Sequence, residues 1–344
     1  MLPRNRTLEI RSQNLWIALL PVLVFIGGEW FISAFGLYRV DPGPDQAFSA
    51  AAEAGGRYAV YGMFFLFVAV CISVTVIFFL DIDTLFNRPS RRRLYAIVAG
   101  LGAIVLIVIV LGPWIWSSPK TYWFAGKSLF DDLFAQGKIE WCTIDGNDFI
   151  GTLKIAPGTC AQPFSLELVF GWLLKTANIL IAIAAGSAIV GAVSCLGKPP
   201  EPARSIYEDQ FGRLNQYLYL GAALMVCGML LILSWLHWPD FYFGKENTAY
   251  STLVNGLTIY YGINYSLIVF AYYAPVALIL SQRQAEAAKT PSEERAKPTR
   301  TPSETRQDFG VAAIFKVVFA LLSPFLTGLL GTLINLLSGG IGTH

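Results

Sequence analysis

Long apolar blocks separated by polar intervals run through most of the chain. A helix needs about 20 residues to cross the roughly 30 Å hydrocarbon core of a bilayer, and it satisfies its own backbone hydrogen bonds there. A membrane-spanning barrel would instead show segments of about ten residues with alternating polarity. Blocks of the required length and composition cover residues 15–36, 59–80, 95–116, 169–195, 217–237, 262–281 and 311–337. The pattern therefore predicts an all-α integral membrane protein, surrounded by the lipid bilayer, with about seven transmembrane helices.

These blocks divide the chain into six regions. The last block carries Lys316 and Pro324, so it is predicted either to cross the membrane or to be re-entrant. The interval before it is rich in Pro, Ser, Thr and charged residues, which predicts a flexible linker. The regions are a cytoplasmic tail (1–14), helices one to three (15–116), a structured extracytoplasmic loop (117–163), helices four to six (164–281), a flexible cytoplasmic linker (282–309) and a C-terminal hydrophobic helix (310–344).

Lysine and arginine residues are concentrated in alternate intervals. The N-terminal tail, the interval after the second block and the linker before the last block are the richest, and Arg91, Arg92 and Arg93 are consecutive. Cytoplasmic loops of membrane proteins carry an excess of Lys and Arg. We therefore predict a cytoplasmic N-terminus, and we expect the protein in the inner (plasma) membrane of a bacterium.

Composition agrees with the block pattern, because 55% of the residues are hydrophobic and 14% are charged, against roughly a quarter charged in soluble domains. The net charge is only +2, and no broad basic region indicates a nucleic-acid partner. His237 and His344 are too few for a haem held by two pairs of histidines and lie too far apart for a zinc site. The sequence therefore predicts no cofactor, no metal and no nucleic-acid partner.

The interval at 117–163 is long enough to have a structure of its own. A short surface helix is predicted near its start, and two β-prone runs at 139–144 and 149–155 flank the turn sequence Asp-Gly-Asn-Asp. These elements would form a small α/β structure outside the bilayer. Cys142 and Cys160 lie on the side of the membrane where disulfides persist, so a disulfide between them is predicted, with two free thiols as the alternative.

Glu29 and Lys175 stand out among the ionisable side chains inside the blocks, where a Lys or Asp costs roughly 2.5 to 3.5 kcal/mol on insertion scales. The two lie at similar predicted depths below the outer surface, and we interpret them as a buried ion pair. Gly27 and Gly28, just before Glu29, can let backbone carbonyls face a cavity or a neighbouring helix. Such a pair either holds helices together or marks a transport path, and both alternatives remain open.

Polar stripes accompany these two charges. Asn178 follows Lys175 by one helical turn on the fourth block, and Tyr265 belongs to a row of tyrosines on the sixth. Polar faces of membrane helices are predicted to point into the bundle, away from lipid. The sequence therefore places Glu29, Lys175, Asn178 and Tyr265 near a polar path or a buried ion pair.

Ser234, His237 and Asp240 are the arrangement that best suggests a nucleophile with a base. Asp240 follows Pro239, however, and need not continue the helical face that Ser234 and His237 share. The aromatic residues around them favour a belt at the membrane interface. The sequence therefore predicts no catalytic residues and no enzyme.

Two functions follow from this architecture. In the first, a small solute or ion passes through the polar path, with Glu29 as a proton-responsive group. In the second, the protein is a noncatalytic assembly, anchoring or sensing subunit of a membrane complex that binds a protein partner through its outer loop. Ala184, Ala188 and Ala192 recur every four residues, and such a row lets helices approach closely within the protein or between copies of a homo-oligomer.

Overall fold

The computed structural model describes residues 16–35, 50–85, 99–100, 103, 166–197, 204–239, 248–289 and 311–340. These ranges contain no strand, so the described part of the chain is helical, as predicted. Its continuous helices are α1 (Leu19–Phe35), α2 (Ala50–Leu85), α3 (Leu166–Ser194), α4 (Arg204–His237), α5 (Thr248–Lys289) and α6 (Val311–Gly340).

Four helices of the described part are long and apolar enough to cross a membrane. Apolar stretches in the α1 and α6 regions are shorter, at Trp16–Ile32 and Lys316–Leu330. These features identify an integral membrane protein, whereas the count of seven spans stays a prediction. The four qualifying stretches are Ala54–Asp81, Lys175–Ser194, Ile206–His237 and Tyr250–Ala287.

Several predicted features lie outside the described residues. The third block, at 95–116, is almost entirely outside them, and so is the loop at 117–163 with its α/β structure. The predicted disulfide between Cys142 and Cys160 falls in that loop and stays a prediction. Within the described ranges, the cysteines are free thiols at Cys71, Cys195 and Cys227.

The helices extend beyond the apolar blocks that predicted them. With 42 residues, α5 is about 63 Å long at 1.5 Å per residue, roughly twice the thickness of the hydrocarbon core. It continues to Lys289, so residues 282–289 of the predicted linker are helical, while the rest of that linker lies outside the described residues and stays a prediction. These turns contain Gln, Arg, Ala, Glu and Lys, which are strong helix formers, and hydropathy does not detect a polar helix.

Two helices form the centre of the bundle. Helix α4 packs against α2, α3, α5 and α6, and α5 packs against α1, α3, α4 and α6. The Tyr250 hydroxyl, near the start of α5, donates to the carbonyl of Leu236 near the end of α4. At the opposite end of the bundle, Asp81 near the end of α2 meets Tyr217 in the first half of α4. Both α2 and α5 therefore run antiparallel to α4, in agreement with the predicted alternation.

Large apolar side chains cover the outer surface of the bundle. Phe65 is 70% exposed, and Leu278 is 63% exposed. Similar residues recur along the same helices, including Phe79 and Phe270. Soluble monomers rarely expose extended apolar patches, whereas lipid solvates them. This surface is therefore the one expected to face the bilayer.

The row of small residues on α3 lies inside the bundle. Ala184, Ala188 and Ala192 are each at most 1% exposed. A Cβ added to the neighbouring Gly191 would overlap the ring of Tyr217 on α4. The row therefore serves close packing within the protein, one of the two roles predicted for it, and the homo-oligomer stays a prediction.

Pro324 interrupts the backbone hydrogen bonds of α6, and neighbouring hydroxyl groups compensate. A proline lacks the N–H that would bond to the carbonyl four residues earlier, here that of Ala320. The Ser323 hydroxyl donates to this carbonyl, with Oγ and O 2.9 Å apart. The N–H of Phe325 donates to Ser266 Oγ on α5 at 3.3 Å. The break in α6 thus becomes an attachment point to α5.

Candidate functional site

A cavity of about 80 Å³ lies between α2, α3, α4 and α5, and we call it the central cavity. A water molecule occupies roughly 30 Å³ in the liquid, so the space suits a few waters, an ion with part of its hydration shell, or one small molecule. Most of the lining side chains are apolar. They are Val60, Phe64, Phe67, Leu173, Ala177, Asn178, Ile181, Gly228, Leu231, Ile232, Trp235 and Tyr265.

Two of the predicted path residues meet at the central cavity. Asn178 comes from α3 and Tyr265 from α5, and both line the space. Tyr265 is 8% exposed, and its ring contacts that of Tyr261, with 6.1 Å between ring centroids. The structure thus brings together residues that the sequence placed on separate helical stripes. An amide and a phenol give this apolar cavity both hydrogen-bond donors and acceptors.

Glu29 lies on α1, where its side chain is buried with 7% exposure. The carbonyl of Gly28 accepts a hydrogen bond from the Tyr260 hydroxyl on α5 at 2.6 Å. A Cβ at Gly28 would lie 2.5 Å from Nδ2 of Asn264, so only glycine permits this close approach. The prediction that a backbone carbonyl at the glycine pair faces a neighbouring helix is confirmed.

Lys175 has a different environment from Glu29. Its side chain is exposed on α3, whereas α1, which carries Glu29, packs chiefly against α5. The described helix contacts give the proposed ion pair no support, and it stays a prediction. The sequence predicted only the depth of each residue in the membrane. Two residues at equal depth need not have side chains that face each other.

A second group of polar side chains lies at the end of the bundle where α2 ends and α4 begins. The hydroxyl of Tyr217 donates to Oδ2 of Asp81 at 2.7 Å. Arg213 places Nη1 3.5 Å from Oδ1 of the same carboxylate. The side chain of Asp81 is 14% exposed and that of Arg213 is 33% exposed, so the pair is shielded from solvent on most sides. We call Asp81, Gln210, Arg213, Tyr217 and Arg283 the Asp81 cluster.

The C-terminal end of α3 is capped by two members of the Asp81 cluster. Gln210 Nε2 donates to the carbonyl of Gly197 at 2.7 Å, and Arg283 Nη1 donates to the carbonyl of Leu196 at 2.6 Å. The last carbonyls of a helix lack partners within the helix and carry partial negative charge, which favours a nearby guanidinium. The side chains of α4 and α5 therefore fix the end of α3.

Two tyrosines of α5 attach this helix to α4 near the same end. The Tyr272 hydroxyl donates to the carbonyl of Tyr217 at 3.1 Å, and the Tyr273 hydroxyl donates to Oδ1 of Asn215 at 3.0 Å. The Asp81 cluster was not predicted from the sequence. The sequence signal for this cluster was weak, since Asp81 lies just beyond the second apolar block and Arg213 lies just before the fifth.

The predicted alternative catalytic residues do not form a site in the described part. The Ser234 hydroxyl donates to the carbonyl of Leu231 within its own helix, at 2.8 Å. His237 lies at the end of α4, and Asp240 is outside the described residues. Within the described ranges, no group of three or more His, Cys, Asp or Glu residues could hold a metal ion. The absence of enzymatic activity stays a prediction.

Comparison with known proteins returned no match: no family model, no curated protein and no solved structure is significantly similar to this chain. The features of this integral membrane protein that bear on its function are the central cavity, Glu29 and the Asp81 cluster.

Proposed function

We propose that the protein moves a monovalent cation, either a proton or an alkali-metal ion, through its helix bundle. The observation that carries the proposal is the convergence of Asn178 and Tyr265 on the central cavity. Polar side chains that face interior space at membrane depth commonly mark ion and proton pathways. Their oxygen atoms can replace part of the hydration shell of a cation.

The distribution of charge favours a cation over an anion. Glu29 is buried against α5, and its carboxylate lies within electrostatic range of the Tyr260 hydroxyl. Lys175 and Lys316, by contrast, are exposed on the outside of the bundle. The carboxylate of Glu29 therefore lies toward the interior while these two lysines lie on the lipid side, which lowers the energy of a cation beside Glu29.

Helix α5 connects Glu29 with the central cavity. Asn264 contacts Gly28, next to Glu29, and Tyr265, the following residue, lines the cavity. Successive residues of a helix point about 100° apart, so Glu29 and the cavity lie beside neighbouring faces of α5. In our proposal, a cation passes between them when side chains of α5 change rotamer.

Flux into sealed vesicles tests the proposal with three probes: protons, Na⁺ and K⁺. We expect the wild-type protein to conduct at least one of them above protein-free vesicles. Tyr265→Phe and Asn178→Leu should each lower this flux about tenfold, the effect of one lost hydrogen bond of roughly 1.4 kcal/mol. Glu29→Gln removes the buried charge without changing size, and it should lower the flux at least as much.

Tyr273→Phe is the matched control, because it removes a tyrosine hydroxyl from the same helix at a site remote from the cavity. Its flux should equal that of the wild-type protein. If folded wild-type protein conducts none of the three ions, the proposal is wrong. That result, together with a stable copurifying membrane protein, would favour the noncatalytic assembly, anchoring or sensing subunit.

A further inference from the structure

An open groove of about 680 Å³ runs along the outside of the bundle between α4 and α6. Its buried lining residues are Ala222 and Ala320, whose small side chains leave space between the two helices. Tyr219, 44% exposed, and Phe319, 59% exposed, border it. The groove opens toward the surface that faces lipid. Its volume and its mostly apolar lining suit a hydrocarbon chain.

Among the described residues that line this groove, Lys316 is the one with a charged side chain. Lys316 belongs to the lining, is exposed, and lies one helical turn before Phe319 and Ala320. In the described part of the chain, no carboxylate forms an ion pair with it. Lysine within an apolar segment is costly, and its long side chain extends toward the membrane interface to reach a negative group.

The groove lies near the end of the bundle that holds the Asp81 cluster. Helices α4 and α6 run in the same direction, since Lys316 lines the groove with Tyr219 and Gly328 approaches Met229 further along. Tyr219 is two residues from Tyr217, whose hydroxyl reaches Asp81 at the end of a membrane-spanning stretch. Lys316 is also the first residue of the apolar stretch Lys316–Leu330, so it lies at the end of that stretch nearer to the Asp81 cluster.

We propose that this groove binds an anionic phospholipid. One acyl chain occupies the groove over Ala222 and Ala320, and the headgroup phosphate pairs with the Lys316 ammonium. Charge complementarity selects an anionic lipid, because a lysine ammonium beside an apolar groove matches a phosphate attached to a hydrocarbon chain. The sequence predicts this end to be cytoplasmic, and anionic lipids concentrate in the cytoplasmic leaflet.

Native mass spectrometry of the full-length protein in detergent tests the site. The probes are phosphatidylglycerol and phosphatidylcholine with identical oleoyl chains. The wild-type protein should retain the anionic lipid about fivefold more than the zwitterionic one, the factor expected for one lysine near a membrane surface. Lys316→Gln should bring this ratio to about one. Ala223→Phe, at an exposed position of the groove, should lower retention of both lipids by filling the space.

Lys175→Gln is the matched control, because it removes an exposed lysine from α3, away from the groove. It should keep the wild-type ratio. Several results would overturn the lipid site: an unchanged ratio in Lys316→Gln, unchanged retention in Ala223→Phe, or displacement of the lipid by soluble glycerol phosphate at equal concentration. A lipid-free dimer that Ala223→Phe dissociates would place a second copy of the chain in the groove instead.

Discussion

The Asp81 cluster and the central cavity hold polar side chains inside the same bundle in two different ways. In the cluster, donors and acceptors from α2, α3, α4 and α5 meet directly, as in the 2.7 Å bond between Tyr217 and Asp81. At the cavity, Asn178 and Tyr265 face a space of about 80 Å³. Polar groups that contact one another across helices stabilise a packing arrangement, whereas groups that line a cavity can also contact a bound ion or molecule. We therefore expect changes in the cluster to alter stability and changes at the cavity to alter transport.

The largest effect on stability is expected for Asp81→Ala. It removes the acceptor of Tyr217 and leaves Arg213 without its carboxylate. Loss of one partner from a fully buried pair costs roughly 3–5 kcal/mol, and the partial exposure of Arg213 lowers our expectation to about 2–4 kcal/mol. The free energy of unfolding in detergent measures it. Asp209→Ala, which removes an exposed carboxylate from the same region of α4, should change stability by less than about 0.5 kcal/mol. Equal effects of the two substitutions would contradict the assignment.

Gly191→Ala should have the next largest effect. The new methyl group would overlap the ring of Tyr217, which is 1% exposed and therefore held on all sides. Overpacking of this kind costs about 1–3 kcal/mol. Gly212→Ala is the control, since a Cβ there meets nothing within 4 Å and alanine favours the helix by up to about 1 kcal/mol. A stabilising Gly191→Ala would show that α3 and α4 are less closely packed than described.

Tyr217→Phe should cost about 1.5 kcal/mol, because it removes a hydrogen bond to a charged group and leaves the ring in place. The measurement is again the free energy of unfolding. Tyr58→Phe, at a tyrosine that is 72% exposed, should leave it unchanged. A Tyr217→Phe protein as stable as the wild type would mean that the hydroxyl contributes nothing to the cluster.

The smallest effect on stability is expected for Asn178→Leu, although it should strongly reduce transport. Leucine has the branched shape of asparagine with the same number of non-hydrogen atoms, the cavity accommodates its larger methyl groups, and a polar group leaves an apolar wall, so stability should change by less than about 0.5 kcal/mol in either direction. Thermal denaturation in detergent checks this value. A loss of several kcal/mol would mean that Asn178 stabilises the fold, as the Asp81 cluster does, and would contradict the expected difference between the two regions.

Sequence patterns predicted the helices and two residues of the candidate site. The apolar blocks identified the regions of α2, α3, α4 and α5, because a long hydrophobic run in lipid forms a helix to satisfy its backbone hydrogen bonds. Polar stripes led to Asn178 and Tyr265, since a polar face at membrane depth points inward. Both inferences use information contained within a single helix.

Features that depend on two helices were predicted poorly. Asp81 and Tyr217 are 136 residues apart, and no periodicity relates an acidic residue at the end of one block to a tyrosine at the start of another. The predicted ion pair of Glu29 with Lys175 also depends on two helices, because the sequence gives the depth of Lys175 but not which face of α3 packs, and it stays a prediction. The polar ends of α4 and α5 were also missed, since hydropathy measures only the apolar part of a helix.

Cation flux through Asn178→Leu and Tyr217→Phe, compared in vesicles that contain equal amounts of folded protein, tests the role of the central cavity most directly. We predict that Asn178→Leu loses about nine-tenths of the wild-type flux, as expected for the loss of one polar contact with the ion of about 1.4 kcal/mol, while Tyr217→Phe retains the wild-type flux per folded molecule. Wild-type flux in Asn178→Leu, or an equal loss in both proteins, would contradict the assignment of the cavity as the cation site.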